Sequence, residues 1–132
     1  MSLKGTSEWG REGSNGGDVT LNITNQNIQG DFEVDGISTL TINMIKSSIT
    51  GKINTANTAK KINIIMDADS KITLTGNSYC NSITNEDLTG ANLVNGSYIW
   101  TIDGKSNTNS AKGIFSLNCL LVSLSLILGI LL

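Results

Sequence analysis

The chain repeats itself at a spacing of 21 residues, and that constrains its fold more than any other feature. Val19, Leu21 and Ile23 recur as Leu40, Ile42 and Met44; Ile28, Gly30 and Phe32 recur as Ile49, Gly51 and Ile53. The polar positions recur as well, Thr20 on Thr41 and Asn22 on Asn43. A third copy, KINIIMDADSKITLTG, opens with Ile62 and Ile64 and closes with Ile72 and Leu74. Here Phe32, Ile53 and Leu74 keep the step while the first arm slips by one. A fragmentary fourth turn takes in Ile83, Leu93, Tyr98, Trp100 and Ile102. Repeats of this length are too short to bury a face alone and need neighbours stacked on them.

Each copy alternates apolar and polar residues, the pattern of a strand with one buried face. Helix-period stripes are absent, which makes the chain all-β. Short strands on this period suit a β-sandwich or a parallel β-helix. Two observations favour the helix: identity recurs column by column, as stacking like on like requires, and regular hairpin turns are missing. Only Asp35-Gly36 and Asn95-Gly96 have hairpin character. Asn22, Asn43 and Asn63, with Thr20 and Thr41, are expected to form outward ladders. Stacked coils about 4.8 Å apart give three to four turns roughly 20 Å tall. Little precedes Val19 to cover the first coil's edge, and an open edge invites association. Further coils are therefore expected upstream.

Composition divides the chain. It has 16 Asn, 15 Ser, 14 Thr and 14 Gly, no Pro and no His, and a net charge of −2. A basic nucleic-acid footprint is excluded, and the commonest acid–base catalyst and metal ligand is missing. The expected organisation is a Gly-rich loop over 1–17, coils over 18–103, a polar linker over 104–113 and a hydrophobic tail over 114–132. The tail carries no charge and is expected to be helical; 19 residues suffice to cross about 30 Å of hydrocarbon. It lacks a basic flank and fits a glycolipid-anchor signal, with Asn109 as the attachment site and Ser106 or Asn107 as alternatives. A retained membrane span is the competing reading. Either implies export to the cell surface, yet residues 1–17 hold no apolar signal core, so the signal peptide is expected to lie upstream. Two sequons, at Asn22 and Asn95, suit a secreted protein, with Asn95 in its Asn-Gly turn the better acceptor. Cys80 reads as a small buried apolar residue, and Cys119 lies in the tail.

The stretch from SEWGREGSNGG through the first two coils, followed by SKITLTGNSYCNSITNED, resembles a group of large secreted proteins. These are right-handed parallel β-helix (pectin-lyase-like) "carbohydrate-binding domain" proteins of anaerobic gut and cellulolytic microbes. The shared features are a Trp-Gly loop ending in Ser-Asn-Gly-Gly, coils of the type x-I-x-G-x-I, and L-T-G-x-S-Y. The resemblance covers roughly residues 7–104 and concerns their C-terminal part. It implies a polysaccharide-lyase-like fold and binding of plant polysaccharide, in some members with calcium. The group's sugar and calcium ligands do not map onto numbered positions here.

Asp31, Glu33 and Asp35 alternate with inward Phe32 and Val34, so three carboxylates share an outward face. Asp67 and Asp69 repeat the spacing. Oxygen-rich clusters of this kind bind Ca2+; against that, a 21-residue step sets Asp31 beside Lys52 and Glu33 beside Asn54, a charge ladder needing no metal. Trp9, in the Gly-rich loop, is the candidate platform for a sugar ring, whereas Trp100, alternating with Tyr98 and Ile102, suits a cap or core. A lyase would need a base, and Arg11, Lys46 and Lys52 have no metal site to pair with. Ice binding would need flat regular Thr ladders, and Thr39/Thr41 and Thr73/Thr75 are not expected on adjacent coils. The expected function is non-catalytic: a cell-surface β-helix segment that binds polysaccharide or another surface glycan, or mediates adhesion. A calcium-dependent lyase remnant and a purely structural stalk are the alternatives.

Overall fold

Period-2 segments such as TLTINMI become strands in the computed structural model, which describes residues 1–4 and 16–107. They are β1 (Ser2–Leu3), β2 (Asp18–Thr24), β3 (Asn27–Gln29), β4 (Glu33–Val34), β5 (Thr39–Ile45), β6 (Ser48–Gly51) and β7 (Lys61–Met66). The chain continues through β8 (Lys71–Leu74), β9 (Ser78–Cys80), β10 (Ser82–Asn85), β11 (Leu93–Val94), β12 (Trp100–Ile102) and β13 (Lys105–Asn107). The described residues contain no helix.

Strands recur on three faces. The first is β2-β5-β7-β10 and the second β3-β6-β8-β11, both fully parallel. The third joins β1 to β4, bridges Phe32 to Ile53, and ends in β9, β12 and the antiparallel return strand β13. The molecule is thus a parallel β-solenoid of about four turns. Inward columns run Leu21–Ile42–Ile64–Ile83 and Ile28–Ile49–Ile72–Leu93. Most of these side chains are fully buried, the first coil's Leu21 and Ile28 only partly. Each fully buried Leu or Ile contributes about 1.5–3 kcal/mol of transfer free energy.

The 21-residue step holds between the first two coils, where Asp18 faces Thr39 and Asn27 faces Ser48. Beyond them it drifts. Thr39 faces Lys61, a step of 22, and Ser48 faces Lys71, a step of 23. Two assignments change as a result. Leu74 faces Gly51 on the second face, not Ile53 on the third. The coil-three neighbours of Ile53 are Ser78, whose Oγ accepts the Ile53 N–H (2.9 Å), and Tyr79, whose N–H donates to the Ile53 carbonyl (3.0 Å). Likewise Asn63 faces Thr41 and Ser82, so the asparagine ladder is Asn22–Asn43 alone, with Ile65 next to Asn43. Thr20 and Thr41 lie side by side on adjacent coils, as expected, and so do Thr50 and Thr73; the Thr39/Thr41 pair is not repeated on the next coil, where Lys61 and Asn63 face it.

Corners interrupt the backbone ladders, and side chains of the next coil complete them. Buried Ser47 accepts the Gln26 N–H at 3.1 Å, and buried Ser70 accepts the Ser47 N–H at 3.2 Å. Asn92 then donates to the Ser70 carbonyl at 2.8 Å. Small hydroxyls suit this task because an unpaired buried N–H costs about 1–3 kcal/mol. At the same corner Asn25 (φ 54°) and Lys46 (φ 48°) stack in the left-handed region. The strained Lys46 is held by both oxygens of Asp67, which accept its N–H at 3.1 and 3.2 Å.

The first coil is not bare on its third face, as the sequence had suggested. The backbone of Met1–Lys4 runs beside β4, accepting the Glu33 N–H at Met1 (2.8 Å) and the Asp35 N–H at Leu3 (3.0 Å).

Candidate functional site

Residues 54–60 are longer than the equivalent corner of coil one, and this surplus builds a wall. Asn54 and Asn57 turn the chain with positive φ (54° and 55°). The buried Asn54 side chain then clamps the loop: its Oδ1 accepts the Thr58 and Ala59 N–H groups at 3.0 and 3.2 Å. Thr58 Oγ1 donates to the Val34 carbonyl at 2.6 Å, and the Lys60 N–H donates to the Asp35 and Ser38 carbonyls. The Asn54 bonds brace the loop internally, and the Thr58 and Lys60 bonds tie it to coil one.

Between this wall and Lys4 lies a cleft of about 640 Å³. Its floor is Phe32 and Val34, both nearly inaccessible, and its rim carries Asp31, Glu33, Asp35 and Lys52. The carboxylates expected to share a face therefore do so, along the cleft. Asp31 Oδ1 accepts the Lys52 N–H at 3.2 Å. Glu33 Oε1 stands 3.4 Å from Lys4 Nζ, both largely exposed. Asp35 Oδ1 accepts the Ile37 N–H at 3.2 Å. Alternate residues of an extended strand lie about 6.6 Å apart, so the three carboxylates are spread in a line rather than gathered round a point. Among the described residues no group of three or more His, Cys, Asp or Glu is placed to hold a metal ion.

The remaining candidates lie elsewhere. Asp67 is at the corner between the first two faces, where it also accepts from Ser70 Oγ at 2.6 Å, and Asp69 is in the same turn. Neither joins the Asp31–Asp35 line. Trp100 is in the core, where its indole Nε1 has no hydrogen-bond partner among the described residues. Asn95 does sit in a turn with Gly96 (φ 63°), but its side chain is 1 % exposed, whereas Asn22 projects outward and accepts from Asn43 Nδ2 at 2.7 Å. Ser106 and Asn107, expected in a polar linker, belong to β13. Trp9, Arg11, Asn109 and the tail 114–132 lie outside the described residues. Cys80 is a buried free thiol, as expected; burial pushes its pKa far up, only partly offset by a backbone hydrogen bond from Ser82.

Sequence reasoning missed Lys4, Asn54 and Thr58. The available signal was the broken step itself: NTANTA interrupts the alternation just where the period lengthens.

Fold and cleft together define the class, a parallel β-solenoid with a loop-walled groove on one face. Comparison with family models, with curated proteins and with solved structures gives no match.

Proposed function

We propose that this chain is a non-catalytic segment of a right-handed parallel β-helix that binds polysaccharide or a cell-surface glycan. In this reading the hydrophobic C-terminal tail is a glycolipid-anchor signal, replaced by the lipid that holds the chain at the membrane. The clamped cleft beside Asp31–Asp35 is the observation that carries it. Concave sites with a fixed wall and a few convergent polar groups are where small ligands and sugar units bind. Carboxylate oxygens accept from sugar hydroxyls, while Thr hydroxyls and Lys ammoniums donate to them. Catalysis is left out because acid–base work calls for groups tuned by burial or strong partners, and Glu33 and Lys4 are mostly in water.

The test is retention of the full chain on a panel of immobilised glycans, beside a variant in which Asn54→Ala unclamps the wall. Retention by at least one glycan, weakened at least about tenfold by the variant, supports the proposal. No retention by any glycan refutes it, and release of unsaturated sugars absorbing in the ultraviolet would make the protein a lyase. Release from cells by a phosphatidylinositol-specific phospholipase tests the anchor.

A further inference from the structure

The cleft's charges are arranged for one class of glycan. Resting on the reading above, we infer that it takes an uncharged polyhydroxyl chain, without a metal ion, and rejects uronate-bearing chains. Among the described residues, five ionisable side chains line it: Asp31, Glu33, Asp35, Lys4 and Lys52. Three negative and two positive charges leave it at −1.

Both lysines are engaged within the solenoid, one in an ion pair and the other along its stem. Lys4 Nζ is already 3.4 Å from Glu33. The Lys52 stem packs over Gly76 in the third coil: a Cβ added there would meet Lys52 Cδ at 2.9 Å and Cβ at 3.2 Å. No arginine among the described residues offers the bidentate fork that recognises carboxylates. An incoming uronate would face a line of like charges, and juxtaposed like charges in an interface are strongly unfavourable.

A calcium bridge could reverse that sign only if several carboxylate oxygens converged at 2.3–2.6 Å on one ion. Strand geometry spaces these residues about 6.6 Å apart instead. A neutral chain meets neither obstacle. Each of its hydroxyls donates to a carboxylate and accepts from Thr or Lys, and no net charge needs to be stripped of water.

The experiment measures retention of the full chain on gels containing neutral mannan, neutral arabinoxylan or polygalacturonate, each with calcium and with chelator. A Glu33→Lys variant is run alongside; Glu33 is exposed, and circular dichroism checks that the fold persists. The expected result is retention by at least one neutral gel, unchanged by chelator, and none by polygalacturonate. Glu33→Lys turns the cleft to +1 and is expected to gain polygalacturonate retention by about tenfold or more. Preference of the unmodified chain for polygalacturonate, or loss of retention on chelation, overturns this inference and leaves glycan binding standing. Retention on none of the gels, with none on the wider panel either, overturns both. Retention on other glycans of that panel, but on neither neutral gel, overturns the inference alone.

Discussion

Replacing Gly51 by alanine tests the stacking of the first two coils directly. A Cβ at this position would lie 1.9 Å from the Gly30 carbonyl oxygen and 2.8 Å from its carbon. Close C···O contacts between strands sit at about 3.3–3.6 Å, so the coils must part locally by more than 1 Å. Backbone atoms, not a flexible side chain, stand in the way. The Gly30 N–H to Thr50 and Phe32 N–H to Lys52 bonds, 3.0 and 2.9 Å long, span this gap and would stretch beyond hydrogen-bonding range. Overpacking costs about 1–3 kcal/mol, and two lost hydrogen bonds add about 0.5–1.5 kcal/mol each. A destabilisation of about 4 kcal/mol is expected. At a urea slope of about 1.5 kcal/mol/M the unfolding midpoint falls by roughly 2.5 M. Equilibrium urea unfolding followed by far-ultraviolet circular dichroism reads this. Gly36→Ala is the matched control, since its Cβ would only approach the Thr58 carbonyl oxygen at 3.2 Å; its change should stay under about 1 kcal/mol. A Gly51→Ala protein within about 0.5 kcal/mol of the parent would mean that Gly51 does not stack on Gly30, and the register would be wrong.

Three further outcomes follow from the same geometry. Ile64→Ala empties a fully buried position in the Leu21–Ile83 column and should cost about 2–5 kcal/mol. Ile65→Ala, one residue on but 46 % exposed, should cost under about 0.5 kcal/mol; equal costs in urea unfolding would contradict the inward–outward assignment of β7. Cys80 should resist a thiol reagent in the folded protein and react at the rate of a free thiol in urea, because burial disfavours its thiolate; rapid native labelling of Cys80, told apart from Cys119 by peptide mapping, would refute that. The Thr89 hydroxyl, 2.6 Å from Asp87 Oδ1, is the main cause of that carboxyl's lowered pKa. A depressed pKa supports the fold above the usual carboxylate value and withdraws that support as pH falls through the folded value. Thr89→Ala should move Asp87 back toward the usual value in an NMR titration, and an unmoved titration would mean the hydroxyl is not the cause.

The alternation and the column identity between residues 18 and 53 were legible without coordinates because side-chain direction in a strand alternates residue by residue. A seven-residue match such as Asp18–Thr24 on Thr39–Ile45 leaves one register that keeps every apolar residue inside. Legibility failed where corners changed length. The turn Asp67–Ser70 carries Leu74 onto the second face. The loop at 54–60 lengthens the next coil, and a period scan registers it only as a broken repeat. Asn95 shows the same limit: its Asn-Gly turn was readable, but not the inward direction of its side chain.

The sequence by itself therefore determined an all-β chain of short stacked coils with an acidic strand at 31–35, and singled out an apolar tail. Its warrant was local, since the pleat assigns each residue of a strand to one face or the other. Only the tertiary structure decided which corner each insertion fell on. It also decided that Lys4 and the Asn54–Thr58 loop, about 50 residues apart in the chain, stand on either side of Asp31–Asp35. Corner lengths displace everything after them around the solenoid while leaving the strand pattern untouched. The cleft was thus invisible in the pattern that had revealed the coils.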